Sequence, residues 1–230
     1  MAKGFFVTGT DTGVGKTWAT VALMRELQGM GLKVAGMKPV ATGGVWQEGR
    51  LVNRDALAIQ AAASWAIPYE RVNPCVYEAP VSPHIAARRA GERIDMAPIL
   101  ACYDALAQEA DCVVVEGVGG WRVPLSPDLD VADLARHLAL PVLMVVGIKL
   151  GCINHARLTR DAIPAAAFGG WVANDLLGEG AGLLEMVDAL AVEIGRAPIG
   201  HLAFFSGGAR DRDFFPMCWE TNEILRLMAA

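Results

Sequence analysis

A short run of aromatic and β-branched residues, Phe5-Phe6-Val7-Thr8, leads straight into Gly9-Thr10-Asp11-Thr12-Gly13-Val14-Gly15-Lys16-Thr17, and a helical pattern from Lys16 to Gln28 follows at once. Strand, glycine-rich loop and helix in that order form the context of a phosphate-binding loop, and they leave few folds open. Small residues let the loop curl until successive backbone N–H groups face inward, and the helix adds the positive end of its dipole. In such a loop Lys16 reaches the β- and γ-phosphates of a nucleotide and Thr17 sets its hydroxyl on Mg²⁺. The loop is a variant, with five residues between Gly9 and Gly15 and Thr10 at the position expected for the first glycine.

The rest of the chain repeats the alternation. Strands are expected at Phe5–Thr8, Lys33–Met37, Cys112–Glu116, Pro141–Gly147, Gly170–Asn174 and Pro198–Leu202. Helices are expected at Lys16–Gln28, Asp55–Ala63, Met96–Ala110, Val131–Leu138, Asn154–Ile163 and Leu183–Gly195, with Gly29, Gly31 and Gly195 as closing residues. The strands read as continuously apolar, which fits a parallel sheet covered on both faces. The expected architecture is therefore α/β, P-loop NTPase-like, with a largely parallel central sheet and helices on both faces. With 230 residues, 53% of them apolar, and no composition shift or repeat, residues 1–230 are read as one domain.

Charge and composition exclude several function classes. Twenty basic against 25 acidic residues give a net charge of −5 without like-charge blocks, so no nucleic-acid or membrane partner is expected. The longest aliphatic run, Ala139 to Ile148, is half of the roughly 20 residues a bilayer span needs. The N-terminus lacks the apolar stretch of a secretory signal. Cys75, Cys102, Cys112, Cys152 and Cys218 form no Cys-x-x-Cys pair and lie at no zinc spacing, so reduced thiols and a cytoplasmic location are expected. The four histidines are scattered and belong to no nucleophile motif.

Three further residues point toward the loop. Val113-Val114-Val115 delivers Glu116 to a strand's C-terminal end, where a carboxylate can hold Mg²⁺ or its water shell. Lys38 ends the second strand before Pro39 and would reach the crevice of Lys16 if the two strands were neighbours. Asp55 opens a helix, either as its cap or as another magnesium contact, and spacing favours the cap. The loops 39–54 and 117–130 follow strands and so border the ligand crevice of an open α/β sheet.

Several separated stretches together resemble the dethiobiotin synthetase family. They are Val7 to Thr12 with Val14 to Thr17, Gly36-Met37-Lys38-Pro39-Val40, Asn53-Arg54-Asp55-Ala56, Asn73-Pro74, Pro80 with Ser82-Pro83-His84, and Val115-Glu116-Gly117 with Gly119-Gly120-Trp121. Lys149-Leu150-Gly151-Cys152-Ile153-Asn154-His155-Ala156 and Gly170 to Asp175 complete the set. The resemblance spans residues 5 to 175, and Lys149 to His155 is its most specific part. It implies a reaction in which 7,8-diaminononanoate takes up CO₂ as a carbamate, ATP phosphorylates the carbamate, and the second amine closes a ureido ring. ADP and phosphate leave.

By residue, the resemblance implies catalytic roles for Lys38, Lys16 and Thr12, and Mg²⁺ ligation by Thr17, Asp55 and Glu116 with ATP as co-substrate. It places ATP against Gly13, Val14, Gly15, Lys16, Thr17, Trp18, Asp55, Glu116, Gly117, Val118, Gly119, Asn174 and Asp175. Diamine or carbamate contacts fall on Thr12, Lys38, Thr42, Gly151, Cys152 and Asn154. The substrate carboxylate would sit at a helix start near Gly151–Asn154, at the interface of a homodimer. Thr42 replaces the family's common serine and keeps the hydroxyl. Around Pro198–Ala203 the chain lacks the proline usual near Ala203, in the segment that helps hold the nucleobase, and Asp211 and Asp213 face either the ribose or solvent.

Other readings meet specific objections. A partition or metal-carrier ATPase, regulated by a protein partner, carries a lysine five residues before the loop lysine, where this chain has Asp11. A synthetase amidating a large cofactor precursor needs an ammonia source for which 230 residues leave no room. A non-catalytic nucleotide-binding module would not need two lysines, two acids and a substrate-type helix start.

Overall fold

The computed structural model describes residues 3–178, 180–204 and 217–229. Its elements in order are β1 (Lys3–Gly9), α1 (Lys16–Gly29), β2 (Val34–Met37), β3 (Val40–Thr42), β4 (Val45–Gln47), β5 (Arg50–Val52), α2 (Arg54–Ala61), α3 (Tyr69–Val72) and β6 (Cys75–Tyr77). They continue with α4 (Pro83–Arg89), α5 (Met96–Glu109), β7 (Cys112–Glu116), α6 (Val131–Leu138), β8 (Val142–Ile148), α7 (Cys152–Ala162), β9 (Phe168–Asp175), α8 (Gly180–Ile194), β10 (Gly200–Leu202), β11 (Met217–Trp219) and α9 (Thr221–Ala229).

Seven strands form one sheet in the order β11-β10-β9-β8-β1-β7-β2. Every pairing is parallel except that of β10 with β11 at the edge. Every residue of β7 and β8 is buried, as their apolar runs require when helices cover both faces, and Glu116 at the end of β7 is buried with them. The sheet's C-terminal edge gathers the ends of β1, β7, β2, β8 and β9, so the loop at 9–15, Glu116, Lys38 and Asn174 all come to one side. Among the described residues no helix is long and apolar enough to cross a membrane.

Strand order corrects one premise. β1 and β2 are not neighbours, because β7 lies between them. Lys16 and Lys38 are therefore separated by the strand that carries Glu116. The expected helices are found with shifted ends: α2 starts one residue earlier than expected and α7 two residues earlier, at Cys152. Gly29 is not a closing residue but the last residue of α1. The turn is made by Gly31 at φ +84, where Leu32 N–H reaches back to the Leu27 carbonyl and Gly31 N–H to that of Gln28. Beyond the expected elements, β3 pairs with β6 and β4 with β5, and α3, α4, α9 and β11 are short additions. Those of three or four residues, β3 to β6, β11 and α3, are too brief to show a hydrophobic period.

The helices pack closely on β2. A methyl group at Gly36 would lie 2.4 Å from Ile59 Cγ2 on α2 and 2.7 Å from Met24 Sδ on α1. Gly36→Ala is expected to cost ~1–3 kcal/mol of stability through overpacking. For a chain of this size that lowers the thermal midpoint by about 3–10 °C, read by scanning calorimetry, with nucleotide affinity of the folded protein unchanged.

Candidate active site

Gly15 turns at φ +87 and delivers the chain into α1 without a side-chain cap, leaving the first N–H groups of the helix directed into the loop. A Cβ on Gly15 would stand 2.1 Å from Asn174 Nδ2, so the loop rests directly on the end of β9. Asn174 fixes that contact by donating to the Val14 carbonyl at 2.8 Å. Asp175 beside it accepts from the Leu177 and Gly178 N–H groups, both at 2.9 Å, and shapes the loop that leaves β9.

Glu116 is the centre of the polar cluster. Its side chain is fully buried, and Oε1 accepts from both Lys38 Nζ and Thr17 Oγ1, the latter at 3.0 Å. Lys38 Nζ donates also to the Gly117 carbonyl at 3.1 Å and pairs with Asp55 Oδ2 at 3.5 Å. Lys16 Nζ donates to the Asp11 carbonyl at 2.9 Å, folding back over its own loop. Burial drives the Lys16 pKa down to about 8, with Lys38 adding to the effect while Glu116, Asp55 and Asp11 oppose it. Burial pulls Lys38 the same way, but its ion pairs with Glu116 and Asp55 outweigh it and hold the ammonium above its ordinary value. Both lysines thus sit in the field of the same two carboxylates.

The reading of Asp55 as the helix cap is corrected. Asn53 caps α2, its Oδ1 accepting from the N–H groups of Asp55 at 2.9 Å and Ala56 at 3.3 Å. Asp55 stands in the first turn with its carboxylate half-exposed and turned to Lys38. The signal was present in the sequence, since Asn ahead of a helical run is a strong cap residue.

The chemistry of the donor set fits a magnesium ion. Glu116 Oε2 is buried without a hydrogen-bond partner, an atom whose burial is costly unless a cation or water satisfies it. Thr17 hydroxyl and the carboxylates of Asp55 and Glu116 are hard oxygen donors, and one or two carboxylates beside phosphate oxygens are the usual surroundings of Mg²⁺. Among the described residues no group of three or more His, Cys, Asp and Glu forms a closed metal cage.

The other expected residues fall into two groups. Thr12 is exposed, its N–H held by Asp11 Oδ1 at 2.7 Å, and its hydroxyl lies 3.7 Å from where a Cβ on Gly119 would be. Gly117, Val118 and Gly119 therefore pass alongside the phosphate loop. Gly13 is exposed, and Trp18, 42% exposed, follows Thr17 on α1. Thr42 ends β3, its carbonyl bound by Asn53 Nδ2 at 3.2 Å. Gly151, Cys152 and Asn154 lie at the start of α7, beyond β8 on the far side of β1 from Lys38. Gly151 and Asn154 are exposed, Cys152 is buried in the core, and Leu150 before them is 96% exposed. Asp211 and Asp213 lie outside the described residues.

A family model described as "AAA domain" matches residues 3–178. The chain is similar to the ATP-dependent dethiobiotin synthetase BioD of Ralstonia nicotianae, 50% identical over 190 residues that cover 80% of this chain and 82% of that one. It is similar also to the enzyme of that name from Aromatoleum aromaticum, 48% identical over 174 residues, 75% of this chain and 77% of the other. Among solved structures, a ParA family ATPase from Chlorobium tepidum superposes with a TM-score of 0.54, covering 90% of this chain and 86% of that one at 12% identity. A likeness at that identity concerns the fold alone.

Proposed function

Since the chain belongs to the family of ATP-dependent dethiobiotin synthetases, we propose that it closes the ureido ring of dethiobiotin from 7,8-diaminononanoate, CO₂ and ATP. One amine adds to CO₂ and loses a proton to give a carbamate. A carbamate oxygen takes the γ-phosphoryl group, releasing ADP and leaving a carbamic–phosphoric anhydride. The second amine attacks the carbonyl carbon, phosphate departs with the C–O electron pair, and the amine's proton is lost.

The observation that carries this reading is the convergence of Lys38 and Thr17 on Glu116 beside the phosphate loop, with Asp55 paired to the same Lys38. Carbamate and γ-phosphoryl are both anionic, and a unit-charge pair at about 4 Å repels by about 4 kcal/mol at an effective dielectric of 20. In the proposed site Lys16 bridges the β- and γ-phosphates and Lys38 faces the carbamate. Thr17, Asp55 and Glu116 would hold Mg²⁺, which when bound neutralises phosphate charge. No nucleophilic side chain is needed, because phosphoryl transfer asks the protein chiefly for positioning and charge stabilisation. Thr12 and Thr42 would orient the diamine. The start of α7, with the positive end of its helix dipole, would receive the substrate carboxylate across a homodimer interface. Gly13 to Trp18, Gly117 to Gly119, Asn174 and Asp175 would line the nucleotide.

Phosphate release measured with ATP and Mg²⁺ tests the reading. It is expected to require both the diamine and bicarbonate, whereas hydrolysis indifferent to the diamine and raised by a protein partner would favour the partition-type alternative. A second expectation follows from Lys16. Below pH 8 its ammonium is already formed in the free protein, while above pH 8 nucleotide phosphates must draw a proton onto it. Nucleotide affinity should therefore fall by up to about tenfold per pH unit as pH rises past 8. Calorimetry in two buffers of different ionisation enthalpy should show proton uptake on binding at pH 8.5 and almost none at pH 6.5.

A further inference from the structure

We propose that Tyr69, through Asn53 and Asn73, is a positioning residue that sets Lys38, Thr42 and Asp55 in register with one another. The inference rests on the reading of those three residues as one site. They come from three different places in the chain: the residue after β2, the end of β3, and the first turn of α2.

The hydrogen bonds run through Tyr69 without a gap. Its hydroxyl accepts from the Asn53 N–H at 2.7 Å and donates to Asn73 Oδ1 at 2.8 Å. Asn73 Nδ2 then donates to the Lys38 carbonyl at 2.6 Å. On the other side, Asn53 Nδ2 donates to the Thr42 carbonyl and Oδ1 caps the helix that presents Asp55. Lys38 N–H in turn donates to the Val72 carbonyl at 2.8 Å, so the peptide groups on both sides of Lys38 are tied to the segment following Tyr69.

Tyr69, Asn53 and Asn73 are buried, and Tyr69 packs with Val52 and Ala56 in a small apolar cluster separate from the main core. Arg50 lies over its ring at 4.9 Å to the centroid, which ties β5 to the same post. Burial makes the network sensitive: removing one hydroxyl leaves the Asn53 N–H and Asn73 Oδ1 without that partner. The hydrogen bonds of Tyr69 and of the Asn53 and Asn73 side chains run to Lys38, Thr42, Cys75 and the start of α2 rather than to the phosphate loop. Loss of the network should therefore disturb the lysine and acid positions while leaving metal-free nucleotide binding alone.

Tyr69→Phe keeps the ring, its packing and the arginine contact and removes only the hydroxyl. The expected result is a kcat about tenfold lower and a Mg²⁺ half-saturation about fivefold higher, with ATP affinity in EDTA within about twofold of the parent. A kcat and Mg²⁺ half-saturation both within twofold of the parent would overturn the proposal, as would an EDTA affinity that falls in step with kcat. If the parent itself shows no diamine-dependent release of phosphate, the functional reading fails separately. The Mg²⁺-dependent gain in nucleotide affinity then replaces kcat under the same criterion. Should Tyr69→Phe not fold, Asn53→Ser keeps a capping oxygen and loses the amide that reaches Thr42. It is expected to raise the diamine KM about fivefold with Mg²⁺ half-saturation unchanged, and an unchanged KM overturns the link.

Discussion

Lys38→Ala lowers turnover by roughly 10²–10³, the scale of losing one electrostatic donor aimed at developing charge. The same substitution acts on the ligand-free protein. Glu116 is fully buried and Lys38 nearly so, and removing one partner of a buried ion pair costs about 3–5 kcal/mol because the other charge is left uncompensated. Together these effects give a distinctive pattern. The thermal midpoint drops by about 6–20 °C without ligands, and Mg²⁺ with nucleotide restores much of that loss because a cation again faces Glu116. Turnover stays low even where the variant is fully folded. Single-turnover assays at low temperature beside melting curves with and without Mg²⁺-ATP separate the two. A variant with near-normal turnover would remove Lys38 from the chemistry.

Gly15→Val abolishes nucleotide binding, with Kd rising at least about 10²-fold. Two independent obstacles coincide at this position. The backbone sits at φ +87, which a β-branched residue adopts only with strain, and the new Cβ would fall 2.1 Å from Asn174 Nδ2. Relief requires Asn174 to release the Val14 carbonyl, and with it the curl that points the N–H groups inward. Fluorescent-nucleotide titration measures the loss. Gly13→Ala is a useful contrast, for it has a similar backbone strain at φ +78 but nothing within 4 Å of the added methyl, so a smaller loss is expected there.

The two substitutions mark what the sequence does and does not reveal. The loop around Gly15 was legible because its strand, turn and helix are consecutive, and Glu116 because an unbroken apolar run can only be a buried strand. That Lys38 meets Glu116 depends on β7 entering between β1 and β2, which no local pattern encodes. For Asp55 the sequence leaves both a cap and a magnesium contact open, and spacing alone favours the cap. The true cap, Asn53, lies two residues earlier, and its choice frees the aspartate for Lys38. Tyr69 and Asn73 belong to a four-residue helix and its exit, too short for periodicity, and their partners lie 16 and 35 residues away.

The insertion of β7 between two earlier strands has a consequence for biogenesis. Glu116 lies 99 residues after Thr17 and 78 after Lys38. A nascent polypeptide leaving the ribosome N-terminus first therefore exposes a finished loop sequence long before the carboxylate that completes it has been translated. Pairing contacts this distant close slowly, since much of the loop-closure entropy must be lost before they form. Capture of nucleotide with its metal during synthesis would thus wait for β7 and for the still later β9 that carries Asn174, and until β7 arrives β1 and β2 have no ladder joining them.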